Sequence, residues 1–163
     1  MCRVSLCRVS RGCAFRYGSG VTFASDNGYP GDYDGDVRPI YNPELDGDPD
    51  PGEVVWTWVP YEEDHSQGKD RPVLLVGRDG PWLLGLQLTS QDHDRDALQE
   101  ARAGRIWMDV GTGRWDGSGR GSEVRINRVV RIDPDDVRRE GDILAEDVFD
   151  DVVKYMDRAL DLT

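Results

Sequence analysis

The sequence predicts one small, mainly β domain, a barrel closed by a C-terminal helix, that begins near Gly52. From there to residue 132, short runs rich in valine, leucine, isoleucine and tryptophan alternate with glycine, proline and aspartate, which is typical of strands joined by turns. After residue 144, apolar residues recur with the period of an amphipathic helix. A chain of 163 residues has room for one such domain.

The first three predicted strands follow one another closely. Val54 to Val59 is a run of β-branched and aromatic residues that a proline ends. After a polar loop, Tyr61 to Asp70, the second strand runs from Pro72 to Val76. Asp79-Gly80 is a typical hairpin turn, and Trp82 to Thr89 is the third strand.

The later elements are shorter, and glycine separates them. We expect a short helix over Asp94–Arg102, a fourth strand over Arg105–Val110 and a glycine-rich loop over Gly111–Gly121. A fifth strand is predicted over Glu123–Ile132. Asp133 then begins a helical turn, because proline follows it at the first helical position.

The last predicted element is a helix from Ala145 to Leu160 with an acidic outer face. Six residues at helical spacing form its apolar face: Val148, Val152, Tyr155, Met156, Ala159 and Leu160. This helix is expected to cover one side of the barrel.

Residues 1–50 are predicted to be a flexible extension, and residues 51–163 the barrel domain. Residues 26–50 carry eight acids, one arginine and repeated glycine and proline, which leaves little apolar surface to offset the entropy of ordering. This stretch resembles a calcium loop but lacks the glutamate at the twelfth position, so a solvated linker is favoured. Three cysteines within the first 13 residues form no paired motif, and no metal or other cofactor is expected.

Composition and charge limit the function. The net charge of -12 is unfavourable for a protein that coats nucleic acid and fits a protein with a basic partner or a local RNA-binding patch. No stretch has the roughly 18 consecutive apolar residues of a membrane span, and the N-terminus has no secretory signal pattern. We therefore expect a cytoplasmic protein.

Within the predicted barrel domain, the one basic stretch is residues 102–131, which hold seven arginines and three acids. Arginines and aromatic rings on a loop are what unstacked RNA bases bind to, so Arg114 and Trp115 are candidate RNA contacts. The alternative is that the arginines form a solvated face and the tryptophans belong to the core. For Trp107 we favour the core, and for Trp115, which glycines flank, exposure.

Five stretches carry a resemblance to a known family. They are Gly52-Glu-Val-Val-Trp56, the Gly-x-x-Arg-Pro strand within Gln67–Val76, Leu88-Thr89-Ser90, Ser122–Arg125 and Arg131-Ile-Asp133. In order and spacing, over about 110 residues, they resemble the PemK/MazF toxins. The resemblance implies an SH3-like barrel, a homodimer, cleavage of single-stranded RNA and neutralisation by an antitoxin.

The resemblance implies that Arg71 and Thr89 carry the cleavage. In metal-independent cleavage the ribose 2'-OH attacks the adjacent phosphorus, and the site supplies donors for the developing charge. The planar fork of Arg71 can clamp the phosphate, and the Thr89 hydroxyl can donate to it or orient the 2'-OH. Ser90 and Lys69 are further RNA-contact candidates. The structural alternatives are an ion pair for Arg71 and a strand-end cap for Thr89.

The identity of the proton acceptor stays open. His65 lies six residues before Arg71, a spacing found in a branch of the family, and its ordinary pKa near 6.5 suits proton transfer; His93 is a second possibility. Some members place Arg-x-Asp on the late strand as acid and base, but here the matching positions are Arg125 and Asn127. Asparagine cannot accept a proton near neutral pH, so both are expected only to contact RNA.

Three functions are consistent with these observations. The first is the toxin of a type II toxin–antitoxin system that cuts single-stranded RNA. The second is a barrel that binds RNA or protein but does not cut. The third is a toxin of the same fold with another target, such as a topoisomerase.

Overall fold

The computed structural model describes residues 28–90 and 97–161. The three cysteines of the N-terminal tail and His93 lie outside these ranges. The elements of the described residues are, in order, β1 (Glu53–Pro60), β2 (Gly68–Asp79), β3 (Trp82–Thr89), α1 (Ala97–Arg102), β4 (Trp107–Gly111), β5 (Ser122–Arg125), β6 (Val130–Ile132), a 3₁₀ helix (Pro134–Asp136), β7 (Arg139–Ile143) and α2 (Glu146–Asp161).

The strands form one curled, half-barrel sheet in the order β4-β5-β3-β2-β1-β7, and every pairing among the described strands is antiparallel. The first half of β3 pairs with β6 and its last two residues pair with β5. Irregular register in β1, β2 and β4 bends these strands, because a bulge increases local twist. The predicted fold class, a mainly β barrel-like domain with a C-terminal helix, is confirmed.

The two faces of the sheet bury separate apolar clusters. Helix α2 packs Phe149, Val152 and Met156 against one face, where Leu74 and Leu86 lie. Burial of such a side chain contributes about 1.5–3 kcal/mol, so this helix is a main source of stability. The other face carries a smaller cluster: Val55, Val59, Val73, Leu75, Leu83, Val130 and Ile132.

The prediction of one long fifth strand is wrong. Residues 122–132 form two strands, because β5 pairs with β4 and the end of β3, whereas β6 pairs with the beginning of β3. The chain turns at residues 126–127 to pass from one position to the other. The turn after Asp133 is confirmed, since its carboxylate accepts a hydrogen bond from the Asp135 amide and Pro134 opens the 3₁₀ helix.

Strand β7 was not predicted, because its sequence, Arg-Glu-Gly-Asp-Ile, has no β pattern. Its position depends on backbone pairing with β1 and on Gly141, where a Cβ would lie 2.6 Å from the Val54 carbonyl oxygen. The apolar face of α2 is also shifted from the predicted one. Phe149 joins it, whereas Tyr155 is 43 % exposed.

For residues 28–50, the structure corrects the expectation of flexibility. Tyr29 and Val37 are buried, the Tyr41 hydroxyl donates to the Leu144 carbonyl at 2.7 Å, and Tyr33 forms a β-bridge with Val129. Aromatic residues spaced among the acids therefore supply the apolar surface that the composition as a whole lacks. No helix in the described ranges is long and apolar enough to cross a membrane.

Candidate functional site

Arg71 and Thr89 lie together where β2 and β3 leave their shared ladder. The register pairs Val73 with Gln87, and two further residues along each strand reach Arg71 and Thr89. Because side chains alternate between the faces of a strand, Arg71, Val73, Gln87 and Thr89 belong to the same face. Both Arg71 and Thr89 line the same two adjoining cavities, which we call cleft A and cleft B.

Cleft A has a volume of about 240 Å³. Besides Thr89 and Gln87 it is lined by the aromatic rings of Tyr61 and Trp107 and by seven charged residues: Glu62, Glu63, Arg71, Glu100, Arg105, Arg125 and Arg128. Cleft B, of about 320 Å³, shares Arg71 and Thr89 with cleft A and is also lined by Lys69, Ser90, Asp116 and Arg120.

Arg71 differs from the other arginines of cleft A. Its side chain is half-buried, and none of the ion pairs among residues 28–90 and 97–161 involves it. Burial lowers the pKa of Arg71, and the charge of Arg128 lowers it further. An arginine stays protonated despite such a shift, so its donors can be directed at an anion. Thr89, 8 % exposed, places a hydroxyl at the same junction.

The other arginines of cleft A are held by carboxylates. Both terminal nitrogens of Arg125, at 2.8 and 3.0 Å, donate to Glu62, which lies in the loop between β1 and β2. These hydrogen bonds are the main reason that the pKa of Glu62 lies below its ordinary value. Arg105 similarly donates to Glu63 of the same loop at 2.9 Å. Two ion pairs thus fasten this loop beside Arg71.

Two rings line cleft A. Trp107, expected in the core, is only half-buried and donates from its indole nitrogen to Glu100 at 2.9 Å. Tyr61 is 39 % exposed. Such rings offer faces on which an unpaired base can stack.

The polar residues of cleft B differ in exposure and pairing. Lys69 is exposed, Ser90 is half-buried, and Arg120 pairs with Asp116 at 3.0 Å.

Trp115 is buried, and the expectation that it is exposed is wrong. It is 2 % exposed, its indole nitrogen donates to the Ser122 hydroxyl at 3.0 Å, and its carbonyl accepts from Trp56. The flanking Gly113 allows this packing, since a Cβ there would lie 2.0 Å from Cζ3 of Trp115. From this position Trp115 cannot stack on a base.

Three other candidates lie apart from the junction of the clefts. Arg114 is exposed and pairs with Asp142 at 3.3 Å. Asn127 accepts hydrogen bonds from the Ile106 amide and from Arg125 and donates to a backbone carbonyl, so its amide group is engaged within the protein. His65 is not among the residues that line either cleft; it lies edge-on to Tyr29, with ring centroids 5.0 Å apart.

Sequence reasoning missed several residues of the site. Arg105, Arg120 and Arg128 belong to the basic stretch 102–131, but nothing in that pattern separates them from arginines elsewhere in it. Glu62 lies 63 residues before Arg125 and meets it only in the fold. Glu100 pairs with Arg105, a near neighbour in the sequence, but nothing in the sequence marks this pair as part of a site. Across the two described ranges, no group of His, Cys, Asp and Glu is arranged to hold a metal ion.

Comparison with known proteins finds one matching family model and two similar solved structures. A family model described as the PemK-like, MazF-like toxin of type II toxin–antitoxin systems matches residues 50–160. Two solved structures are similar. One, from the MazE–MazF complex of Deinococcus radiodurans, has 18 % identity and a TM-score of 0.49, covering 72 % of this chain and 100 % of that chain. The other, Mycobacterium tuberculosis toxin MazF-mt6, has 16 % identity and a TM-score of 0.45, covering 67 % and 96 %. No curated protein matches significantly.

Proposed function

The chain belongs to the PemK-like, MazF-like family of toxins of type II toxin–antitoxin systems, and on this basis we propose that it is an endoribonuclease. Its substrate is single-stranded RNA, and the nucleophile is the ribose 2'-OH of the RNA itself. No metal takes part in the reaction.

The observation that carries the proposal is the half-buried guanidinium of Arg71, which lies beside Thr89 where the two clefts meet. A planar fork of donors, partly removed from water, binds a phosphodiester more strongly than an exposed cation does. A strand of RNA that passes from cleft A to cleft B brings one phosphate to this point.

The reaction divides between the RNA and the protein. The 2'-oxygen forms a bond to phosphorus and releases its proton, and the bond from phosphorus to the 5'-oxygen breaks as that oxygen gains a proton. Arg71 neutralises the charge that develops on the phosphorane oxygens, and the Thr89 hydroxyl donates to the same group. The products carry a 2',3'-cyclic phosphate and a 5'-hydroxyl.

The two clefts hold the flanking nucleotides. In cleft A, Tyr61 and Trp107 offer stacking surfaces, and in cleft B, Lys69 and Ser90 offer donors to a neighbouring phosphate. We assign no proton transfer to His65, because its ring lies against Tyr29 outside both clefts. Positioning and charge stabilisation at Arg71 supply most of the acceleration.

The test is cleavage of a long single-stranded RNA by the purified chain at low salt with EDTA. We expect cutting in EDTA, cyclic phosphate ends, and a loss of about 10²- to 10³-fold in rate for Arg71→Ala. Arg78→Ala is the matched control, because Arg78 lies on the same strand, is exposed and pairs with Asp50 away from the clefts. Equal rates for the two variants, or loss of cutting in EDTA, would reject the proposal.

Family membership also supports the proposed partners. We propose a homodimer in the cytoplasm that a cognate antitoxin neutralises by covering Arg71. An acidic antitoxin segment would satisfy the guanidinium in the place of phosphate. Co-expression with any small reading frame found next to this gene should give a stable complex in which RNA no longer binds.

One feature favours a second function, a barrel that binds RNA without cutting it. Arg125 and Asn127 occupy the positions of the acid and base found in some relatives, yet one is paired with Glu62 and the other is bound within the protein. RNA binding that Arg71→Ala weakens, with no cleavage by the unaltered chain, would establish this alternative.

A further inference from the structure

The segment before the barrel borders the candidate site. Residues 28–41 precede the family-matched region, which begins at residue 50. The Tyr33 amide donates to the Val129 carbonyl and the Ile40 amide to the Val76 carbonyl, each at 2.9 Å. These bonds hold the segment alongside β2 and the turn before β6.

Arg128 connects this segment to cleft A. It is 6 % exposed, lines the cleft, and donates twice to Asp32, at 2.7 and 3.1 Å. Its remaining donors reach the Gln87 side chain at 3.1 Å and the Pro60 carbonyl at 2.9 Å. One buried guanidinium therefore ties together the N-terminal segment, β3 and the end of β1.

Asp32 is the carboxylate at the centre of this arrangement. Besides Arg128 it accepts the Tyr29 hydroxyl at 2.6 Å, and it lies 4.0 Å from the Nε2 atom of His65 in the β1–β2 loop. Burial alone would raise the pKa of Asp32, but the hydrogen bonds from Arg128 and Tyr29 outweigh it, so the pKa is below its ordinary value. Asp32 is therefore ionised at neutral pH.

We propose that Asp32 is a positioning residue of the cleavage site, acting through Arg128. This inference rests on the proposed function. The residues that directly follow Pro60 are Tyr61, Glu62 and Glu63, which form one wall of cleft A. An asparagine at this position keeps one acceptor oxygen, so Arg128 loses one of its four hydrogen bonds together with its counter-charge. A buried cation without a balancing carboxylate is then left beside Arg71. A small displacement of reacting groups can reduce a rate by about 10²-fold.

The experiment compares Asp32→Asn with Asp34→Asn. Each removes one negative charge from the same segment, but Asp34 is exposed and makes no hydrogen bond or ion pair within the described part of the chain. Because the two variants carry the same net charge, a difference between them in kcat reports on the position of the lost charge and not on its size. In Asp32→Asn, kcat should fall about 10- to 100-fold, and in Asp34→Asn by less than about twofold.

A second readout does not need cleavage. Amide hydrogen exchange is measured in two peptides, the loop 60–68 and β3, which serves as the reference. In the loop, the Tyr61 amide donates to the Gln67 carbonyl at 2.8 Å. Asp32→Asn should exchange at least about threefold faster in the loop alone, since local opening is independent of global unfolding. If the unaltered chain does not cleave, the proposed function fails, and this readout still decides the role of Asp32.

Two results would overturn the inference. The first is equal behaviour of Asp32→Asn and Asp34→Asn in kcat and in loop exchange. The second is faster exchange in β3 as well as in the loop, which would make Asp32 a residue of general stability. If Asp32→Asn does not fold, Arg128→Lys takes its place: lysine keeps the cation but lacks the planar fork that reaches Asp32, Gln87 and Pro60 together. A kcat equal to that of the unaltered chain would refute positioning.

Discussion

Trp115 provides a sharp test of the packing, because an exposed position on an RNA-binding loop and a buried position in the core predict opposite phenotypes. The ring is 2 % exposed, packs on Gly113, and donates to Ser122. We expect Trp115→Ala to impair folding while the Arg71 site keeps its chemistry.

The expected loss of stability in Trp115→Ala follows from the burial of the Trp115 ring. Truncation of a fully buried tryptophan to alanine lowers the free energy of unfolding by about 3–5 kcal/mol. For a chain of this size that corresponds to a decrease in melting temperature of roughly 6–20 °C. Trp115→Phe keeps most of the ring but leaves the Ser122 hydroxyl without its donor, so a loss of about 1–3 kcal/mol is expected.

The assay is urea unfolding followed by far-UV circular dichroism, because fluorescence would change with the tryptophan itself. Arg114→Ala is the neighbouring control for stability, since that side chain is 77 % exposed and its loss should change the free energy by less than about 0.5 kcal/mol. If Trp115→Ala unfolded like the unaltered chain but bound RNA more weakly, the buried position would be refuted.

Two further predictions concern the ion pair between Glu62 and Arg125 and the close packing of β3 against β2. Glu62→Gln should lower the free energy of unfolding by about 1 kcal/mol at neutral pH, a small value because Glu62 is 43 % exposed. Since pairing with Arg125 lowers the pKa of Glu62 below 4.5, this stabilisation is complete above that pH and lost as the pH falls through the folded pKa. A difference from the unaltered chain that did not shrink between pH 7 and pH 3 would contradict the pairing. Gly85→Ala places a Cβ 2.4 Å from Val73 and should destabilise by about 1–3 kcal/mol in the same urea assay, whereas Gly117→Ala, with nothing within 4 Å, should be neutral. Equal stabilities would show that β2 and β3 are packed less closely than described.

The sequence predicts those elements whose pattern is local. Strand β3 has the predicted bounds, Trp82–Thr89, because its apolar run ends in clear turn residues on both sides. Strand β7 and the break between β5 and β6 were not predictable in this way. Both depend on which partner strand lies beside them, and period-2 patterning holds no such information.

The candidate site, too, could be predicted only where its residues belong to a local sequence motif. The family resemblance selected Arg71 and Thr89, and the fold brings them to one junction. The glycines around Trp115 suggest a mobile loop, whereas in the structure Gly113 makes room for the ring. The composition around Asp32 predicts a solvated acidic run, because its partner Arg128 lies 96 residues away in the sequence.

The central claim is that the RNA attacks its own phosphodiester while Arg71 and Thr89 hold it. The most direct measurement uses a short RNA with one mapped cut site and a matched RNA in which the nucleotide before that site is 2'-deoxy. We predict that both bind with the same affinity in EDTA and that only the all-ribose strand is cut. Cleavage of the 2'-deoxy strand at the same bond would contradict the account, because another nucleophile would then have to act.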